Sequence, residues 1–512
     1  MENDSVIDTP WIAPEKQKTF LGHPVGLYIL FVTEMWERFS YYGMRALLVL
    51  YMTNYLIKDP AKFASVYGFP GLRSLLEMGL GPMGPQALAS QMYGLYTGFV
   101  YLSPFFGGIL ADKVWGQKKT VYIGGIIMAI GHFLMASQNS FLLALSLLIL
   151  GNGAFKPNIS TQVGNLYPHE DPRKDGAYTI FYMGINVGAA LSSLVCGALA
   201  EYYGWDYGFG AAGIGMLLGL AAYHFGRHYL PLDKHEMAKM KKEPSQSKGP
   251  GFATLTILSF FGIALLFFLI LIIPTLFKIL LLAAFVGATA FAIGKIADRD
   301  DRNRVLALVL LCLGTVIFWA IYEQQGNTLQ LWSDQKTDWT FFGVKLPSAF
   351  YQFFNPAMII VFAPILDIIW LNRAKKGKTS TSVRKMGIGC VLCGGAFLIM
   401  VLAAKVIGDG DAKGSLMWLV ATTLIFTLGE LYLSPIGLSL VSKVAPTRML
   451  SMMMGMWLMS SFFGNYLAGY LGMFYETMPK DVFFGMLAAM GVAIGLVFFA
   501  AESKMKKVIG EA

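Results

Sequence analysis

The chain has 512 residues, of which 55% are hydrophobic and only 14% charged, and its mean hydropathy is +0.56. Those values exclude an ordinary soluble domain, in which about a quarter of residues are charged. The formal charge of +9 reflects membrane topology rather than a nucleic-acid partner, because its lysines and arginines are distributed by loop rather than clustered in one patch.

Residues 1–25 are polar and lack a short apolar core followed by a small-residue cleavage site. They read as a cytoplasmic N-terminal segment, and the first spanning helix must serve as its own insertion signal. Beyond them, apolar runs of about twenty residues recur. They predict helices at 26–57, 87–111, 119–138, 140–165, 176–203, 206–230, 252–273, 276–296, 304–331, 348–372, 385–406, 415–444, 449–476 and 481–502. The runs are continuous rather than alternating, which argues against a barrel. The fold class is an all-α polytopic membrane protein with fourteen transmembrane helices, an even count that puts both termini on one side.

The runs divide into a six-helix bundle (26–230), a Lys/Glu/Ser/Pro-rich cytoplasmic linker (231–250), two inserted transmembrane helices (251–297), a second six-helix bundle (303–502) and a cytoplasmic tail (503–512). The inserted pair is apolar nearly all round and has no polar face of the kind a pathway helix needs. With the N-terminus cytoplasmic, 28 of the 40 lysines and arginines fall on inside segments and 9 on outside ones, and Arg38, Arg45 and Lys156 remain within the membrane. A wrong helix count would invert the downstream half and destroy this asymmetry.

The first helix carries Glu34-Met-Trp-Glu37-Arg38-Phe-Ser-Tyr41-Tyr42-Gly-Met-Arg45. At about 100° per residue, positions 34, 38, 42 and 45 share one face. A charge at membrane depth costs roughly 2.5–3.5 kcal/mol by insertion scales, so this face must meet a wet cavity or its own counter-charges. Further on, Gly107-Gly-Ile-Leu-Ala-Asp112-Lys-Val-Trp-Gly116-Gln-Lys118-Lys119 joins the second and third helices and resembles the signature loop of the major facilitator superfamily.

Lys156 stands in Gly151-Asn-Gly-Ala-Phe-Lys156-Pro-Asn-Ile-Ser, and Glu430 in Gly429-Glu430-Leu-Tyr-Leu-Ser434-Pro. Each is costly alone and tolerable with the other, and a bridge that forms and breaks suits them better than a static one. Glu323 lies in Phe318-Trp319-Ala-Ile-Tyr322-Glu323-Gln-Gln-Gly. With Asn186, Asn355, Trp457, Tyr42, Tyr101 and Tyr182 these residues offer acid, base, amide and aromatic surfaces, a lining suited to a zwitterion with variable side chains.

Other features carry less. The four cysteines, including Cys390-x-x-Cys393, lie in apolar, small-residue segments and read as helix-packing residues. No histidine cluster suggests a metal site and no phosphate-binding Gly-Lys-Ser/Thr motif is present, so an enzyme is the weakest reading.

These motifs together resemble the proton-dependent oligopeptide transporter (POT/PTR) family of the major facilitator superfamily, in its bacterial form, over about residues 20–502. The resemblance implies a major facilitator fold of 6+6 helices plus an inserted pair, and symport of di- and tripeptides with protons by alternating access. It assigns proton coupling to Glu34, Glu37, Arg38, Lys156 and Glu430. Arg38, Arg45 and Lys156 would meet the peptide carboxylate, and Glu430 with Asn186 and Asn355 the amino terminus. Tyr42, Tyr101, Tyr182, Trp319, Ser434 and Trp457 would line side-chain pockets, with Glu323 a further site acid.

The implied coupling ion is the proton, with no other cofactor. The implied partners are peptides, protons and the lipid bilayer, without nucleic acid and without a required oligomer. The implied location is the bacterial cytoplasmic membrane, with both termini cytoplasmic. The alternatives are proton-coupled transport of nitrate, an amino acid or a peptide-like drug, and a non-transporting nutrient receptor. The amine-accepting Glu430 argues against a plain anion, and the paired acids and bases favour coupling over sensing. The segment 58–86 matches no functional element of the family.

Overall fold

A computed structural model describes residues 16–168, 171–233, 236, 254, 256–262, 293–294, 296, 298–378, 380–408, 410–445 and 450–509. The first long helix, α1 (Val25–Tyr51), follows Pro24, whose ring fixes φ at −66° and starts the helix without a side-chain cap. A π turn, Met52–Leu56, ends it. Segment 57–84 is not an irregular loop. Asp59 caps the short helix α2 (Pro60–Ser65), and α3 (Phe69–Leu80) follows. Phe69 packs between Phe63 (ring centroids 4.8 Å apart) and Phe141 (5.9 Å), which seats the segment on the helix that begins at Phe141.

The remaining helices of the first half are α4 (Pro85–Leu110), α5 (Gln117–Met135), α6 (Phe141–Asn165), α7 (Arg173–Tyr202) and α8 (Trp205–Gly226). The second half has α9 (Arg299–Tyr322), α10 (Thr328–Lys336), α11 (Tyr351–Lys375), α12 (Ser382–Ile407), α13 (Met417–Val444), α14 (Leu450–Gly472) and α15 (Lys480–Ile509). Twelve of the fourteen predicted spans therefore coincide with helices or helix pairs. Most of the inserted pair, 252–296, lies outside the described residues, as does most of the linker. Nine described helical segments are long and apolar enough to cross a membrane by length and composition, and α1 with its four charges is not among them.

One span differs from the sequence reading, and the prolines inside the others leave them intact. The span predicted at 304–331 is broken: α9 gives way to a 3₁₀ turn, Glu323–Gly326, and Asn327 leaves helical space (φ −116°, ψ −98°) before α10 resumes. Prolines 104, 157, 356 and 364 do not break their helices; in a membrane bundle, neighbouring groups re-satisfy the backbone that proline frees.

Within the first half α1 packs against α7 and α8, α5 against α6, and α4 against α6; within the second, α12 packs against α13 and α15, and α9 against α14. The halves meet along two seams, α4 with α14 and α7 with α11. Glycines set the closest approach. A Cβ on Gly94 of α4 would lie 2.5 Å from the Gly469 Cα of α14, a distance that only two glycine faces allow.

Candidate functional site

Between the halves lies a cavity of about 790 Å³. Its lining includes Arg38, Tyr42, Arg45, Tyr101, Lys156, Tyr182 and Asn186 from the first half. From the second come Trp319, Glu323, Asn355, Glu430, Ser434 and Trp457. The structure thus brings together thirteen of the fifteen residues singled out in the sequence. The other two, Glu34 and Glu37, are buried directly behind Arg38.

The charged face of α1 divides into two ion-pair groups. Arg38 donates from Nη2 to Glu37 Oε1 (2.7 Å), pairs through Nε with Glu37 Oε2, and has Glu34 Oε1 at 3.2 Å from the same nitrogen. Its guanidinium also lies 5.2 Å from the Tyr41 ring centroid and 6.0 Å from that of Tyr42. Glu34 Oε2 has no hydrogen-bond partner among the described residues. Two turns along, Arg45 donates to Tyr93 Oη (2.7 Å) and pairs with Glu323 Oε2 at 2.6 Å. Tyr93, a residue the sequence reading passed over, also reaches Glu323 Oε2 at 3.4 Å.

On the opposite wall, Asn355 donates to Glu430 Oε2 and to Thr427 Oγ1, each at 3.1 Å. Tyr322 donates to Asn355 Oδ1 at 3.5 Å. Lys156 is unpaired with Glu430 in this state, as a bridge that forms and breaks allows. Its Nζ sits 5.1 Å from the Tyr101 ring centroid, and among the described residues no ion pair joins it to Glu430. The reason is geometric: each residue stands on its own half, with the cavity between them. Across that space the Tyr101 and Trp319 rings approach to 6.3 Å between centroids.

The cavity is sealed at the end carrying segment 57–84. There Arg45–Glu323 joins the halves, Gln86 donates to the Gly472 carbonyl (2.9 Å), and Ser90 donates to Asn327 Oδ1 (2.8 Å). Asn54 donates to Asp334 Oδ2 (2.9 Å) farther out. At the other end the described polar bonds stay within a half, as in Gln17 to the Tyr229 carbonyl (2.7 Å) and Thr381 to Glu502 (2.8 Å). The lining reaches the exposed surface on that side at Thr161. One end closed and one open around a charged central cavity is the geometry of alternating access.

Sequence reasoning missed the sealing residues Gln86, Ser90, Tyr93 and Asn327. A signal was present: Gln86 and Ser90 stand one turn apart within a helix that carries no charge, and they bond to each other at 2.7 Å. Among the described residues no His/Cys/Asp/Glu cluster could hold a metal ion.

Comparison with known proteins gives a consistent result. A sequence model described as the POT family matches residues 118–485. An uncharacterized transporter of Bacillus subtilis, YclF, is 34% identical, covering 99% of this chain and 98% of its own length. A di-/tripeptide transporter of Lactococcus lactis subsp. cremoris is 32% identical over 97% of this chain and 98% of its own. The crystal structure of a peptide transporter POT in complex with sulfate superposes with a TM-score of 0.78 at 31% identity, covering 97% of this chain and 99% of that one.

Proposed function

The chain belongs to the POT family of membrane transporters, and on that premise we propose that it imports di- and tripeptides together with protons by alternating access. The observation that carries this reading is the division of charge across the cavity: Arg38, Arg45 and Lys156 on one wall, Glu430 with Asn355 on the other. A peptide is a zwitterion with a fixed backbone and variable side chains. Its carboxylate suits the basic wall and its ammonium the Glu430 carboxylate, while aromatic residues between them accept different side chains without specific hydrogen bonds.

Coupling follows from the same groups. Arg38 is held by Glu34 and Glu37 and Arg45 by Glu323. A proton arriving on the 34–37 pair removes a counter-charge, and Arg38 becomes free for the substrate carboxylate. A proton on Glu323 weakens its hold on Arg45 and with it the closed end. Lys156 and Glu430 approach as the halves rock about the bound peptide. Each ligand drives the cycle only through its different affinity for the two states.

The transporter sits in the bacterial cytoplasmic membrane with both termini cytoplasmic, which makes the sealed end external and this state inward-facing. The distribution of lysine and arginine supports that orientation. The expected pair of inserted helices and the two six-helix bundles complete the architecture. A competition panel of di- and tripeptides against labelled dialanine in proteoliposomes tests the substrate class. Inhibition by many dipeptides but not by free amino acids or nitrate is expected, and inhibition by nitrate or single amino acids alone contradicts the reading.

A further inference from the structure

Asn152 stands in the Gly-Asn-Gly element of α6, one turn before Lys156, and lines no part of the cavity. It is 1% exposed, and its Nδ2 donates to Glu37 Oε1 at 3.4 Å. Its Oδ1 is buried with no partner among the described residues. A side chain kept only to glue helices would engage both ends of its amide, because an orphaned buried acceptor is unfavourable. Here one end faces the proton-coupling carboxylate and the other is idle.

The idle end has a use in the other protonation state. Ionised Glu37 only accepts hydrogen bonds: Oε2 is held by Arg38 Nε, and Oε1 by Arg38 Nη2 and Asn152. When Oε1 takes up a proton it becomes a donor as well, and the new O–H needs an acceptor where the Nη2 and Nδ2 donors already point. Turning the Asn152 amide over about its Cβ–Cγ bond replaces the Nδ2 donor by the Oδ1 acceptor, which receives the new O–H. The proton enters from solvent and leaves to solvent, and no other bond is made or broken. The remaining ionisable groups facing Glu37 are Glu34 and Arg38 from α1, Tyr96 from α4 and Lys156 from α6. Tyr96 Oη, too, is buried without a partner among the described residues. Arg38 and Lys156 carry no acceptor.

We propose that Asn152 is a positioning residue of proton coupling, an amide that turns over to serve Glu37 in both its ionised and its protonated form. This rests on the proton-symport reading above. The flanking glycines fix its depth: a Cβ on Gly151 would lie 2.7 Å from the Gly124 carbonyl oxygen, and one on Gly153 would lie 2.6 Å from Ser103 Cβ.

The test uses two variants of one shape, Asn152→Thr, whose hydroxyl both donates and accepts, and Asn152→Val, which does neither. Dialanine uptake driven by an imposed proton gradient, its dependence on pH and gradient-free counterflow are measured in proteoliposomes. With Asn152→Val, proton-driven uptake should fall about tenfold and its pH profile should be displaced from wild type, with counterflow kept within about twofold. Asn152→Thr should retain the wild-type pH profile and most of the driven uptake. A Val variant matching wild type in drive and pH profile overturns the proposal, as does a Thr variant that binds dialanine but is as uncoupled as Val. Wild-type uptake indifferent to the gradient overturns the symport reading itself, and with it the role of Asn152.

Discussion

Arg45 Nη2 lies 2.6 Å from Glu323 Oε2, and this ion pair ties α1 of the first half to the end of α9 in the second. Both side chains are almost fully buried, and Tyr93 Oη bonds to both. A buried pair of this kind contributes little net stability over an apolar one, yet removing one partner costs about 3–5 kcal/mol because the other charge is left alone. The pair therefore suits a gate better than a scaffold.

Glu323→Gln keeps the shape and removes the charge, so the sealed end should open more often. A cysteine introduced at Thr97, buried on α4 one turn past Tyr93, should react faster with a membrane-impermeant thiol reagent added from outside in the Glu323→Gln background, by about tenfold or more. The native cysteines Cys196, Cys312, Cys390 and Cys393 are buried and give low background. Equal labelling in both backgrounds would remove this pair from gating.

A wedge at the seam should act in the same direction without touching a charge. The Cβ of Gly94→Val would press on Gly469 and on the Asn465 carbonyl, the latter 2.6 Å away, both of them backbone and unable to rotate aside. Uptake by this variant should fall several-fold and external labelling at position 97 should rise, with the protein still folded. Wild-type transport with unchanged labelling would mean that close approach at the α4–α14 seam does not set the balance between the states.

Glu430 and Asn355 make a prediction about substrate chemistry. If they receive the peptide ammonium, N-acetyl-dialanine should compete against labelled dialanine about ten- to a hundredfold less well than dialanine itself, the range for losing a hydrogen bond to a charge. In Glu430→Gln that preference should shrink most of the way to parity. A preference undiminished in the variant would move the ammonium site elsewhere.

The segment 57–84 carries its own pH dependence. A hydrogen bond from Arg73 Nε (2.8 Å), together with the Met83 amide, holds the Glu77 carboxyl below the usual carboxylate range. A carboxylate whose folded pKa is depressed adds stability above its unfolded pKa of about 4.3, and that stability is lost as pH falls through the folded value. Backbone amides of α3 should therefore exchange hydrogen faster, relative to those of α5, as pH drops below about 4, once corrected for intrinsic exchange rates. Arg73→Ala should abolish the pH-dependent part.

The charged face of α1 was legible because helical periodicity and the cost of membrane charge act locally, over about three turns. Lys156 and Glu430 were legible as outliers in apolar runs for the same reason. Arg45–Glu323 was not, since its members stand 278 positions apart and either arginine of α1 offers the same charge. The break at Asn327 carries no proline to announce it. It is held by tertiary bonds, Ser90 to its Oδ1 and its own Nδ2 to the Ala468 carbonyl (3.5 Å). Asn152 was hidden for the opposite reason: an amide between two glycines reads as helix packing until Glu37 is placed beside it.

Proton coupling through the acids of α1 is the central claim, and Glu34→Gln and Glu37→Gln test it most directly. Proteoliposomes containing wild type or either variant receive labelled dialanine with an inward proton gradient, with and without a proton ionophore, and in parallel under counterflow. Wild type should accumulate dialanine against its gradient and lose that accumulation with the ionophore, whereas the variants should fail to accumulate it yet retain counterflow. A doubly substituted Glu34→Gln/Glu37→Gln protein that still concentrates dialanine at the expense of the proton gradient would contradict it.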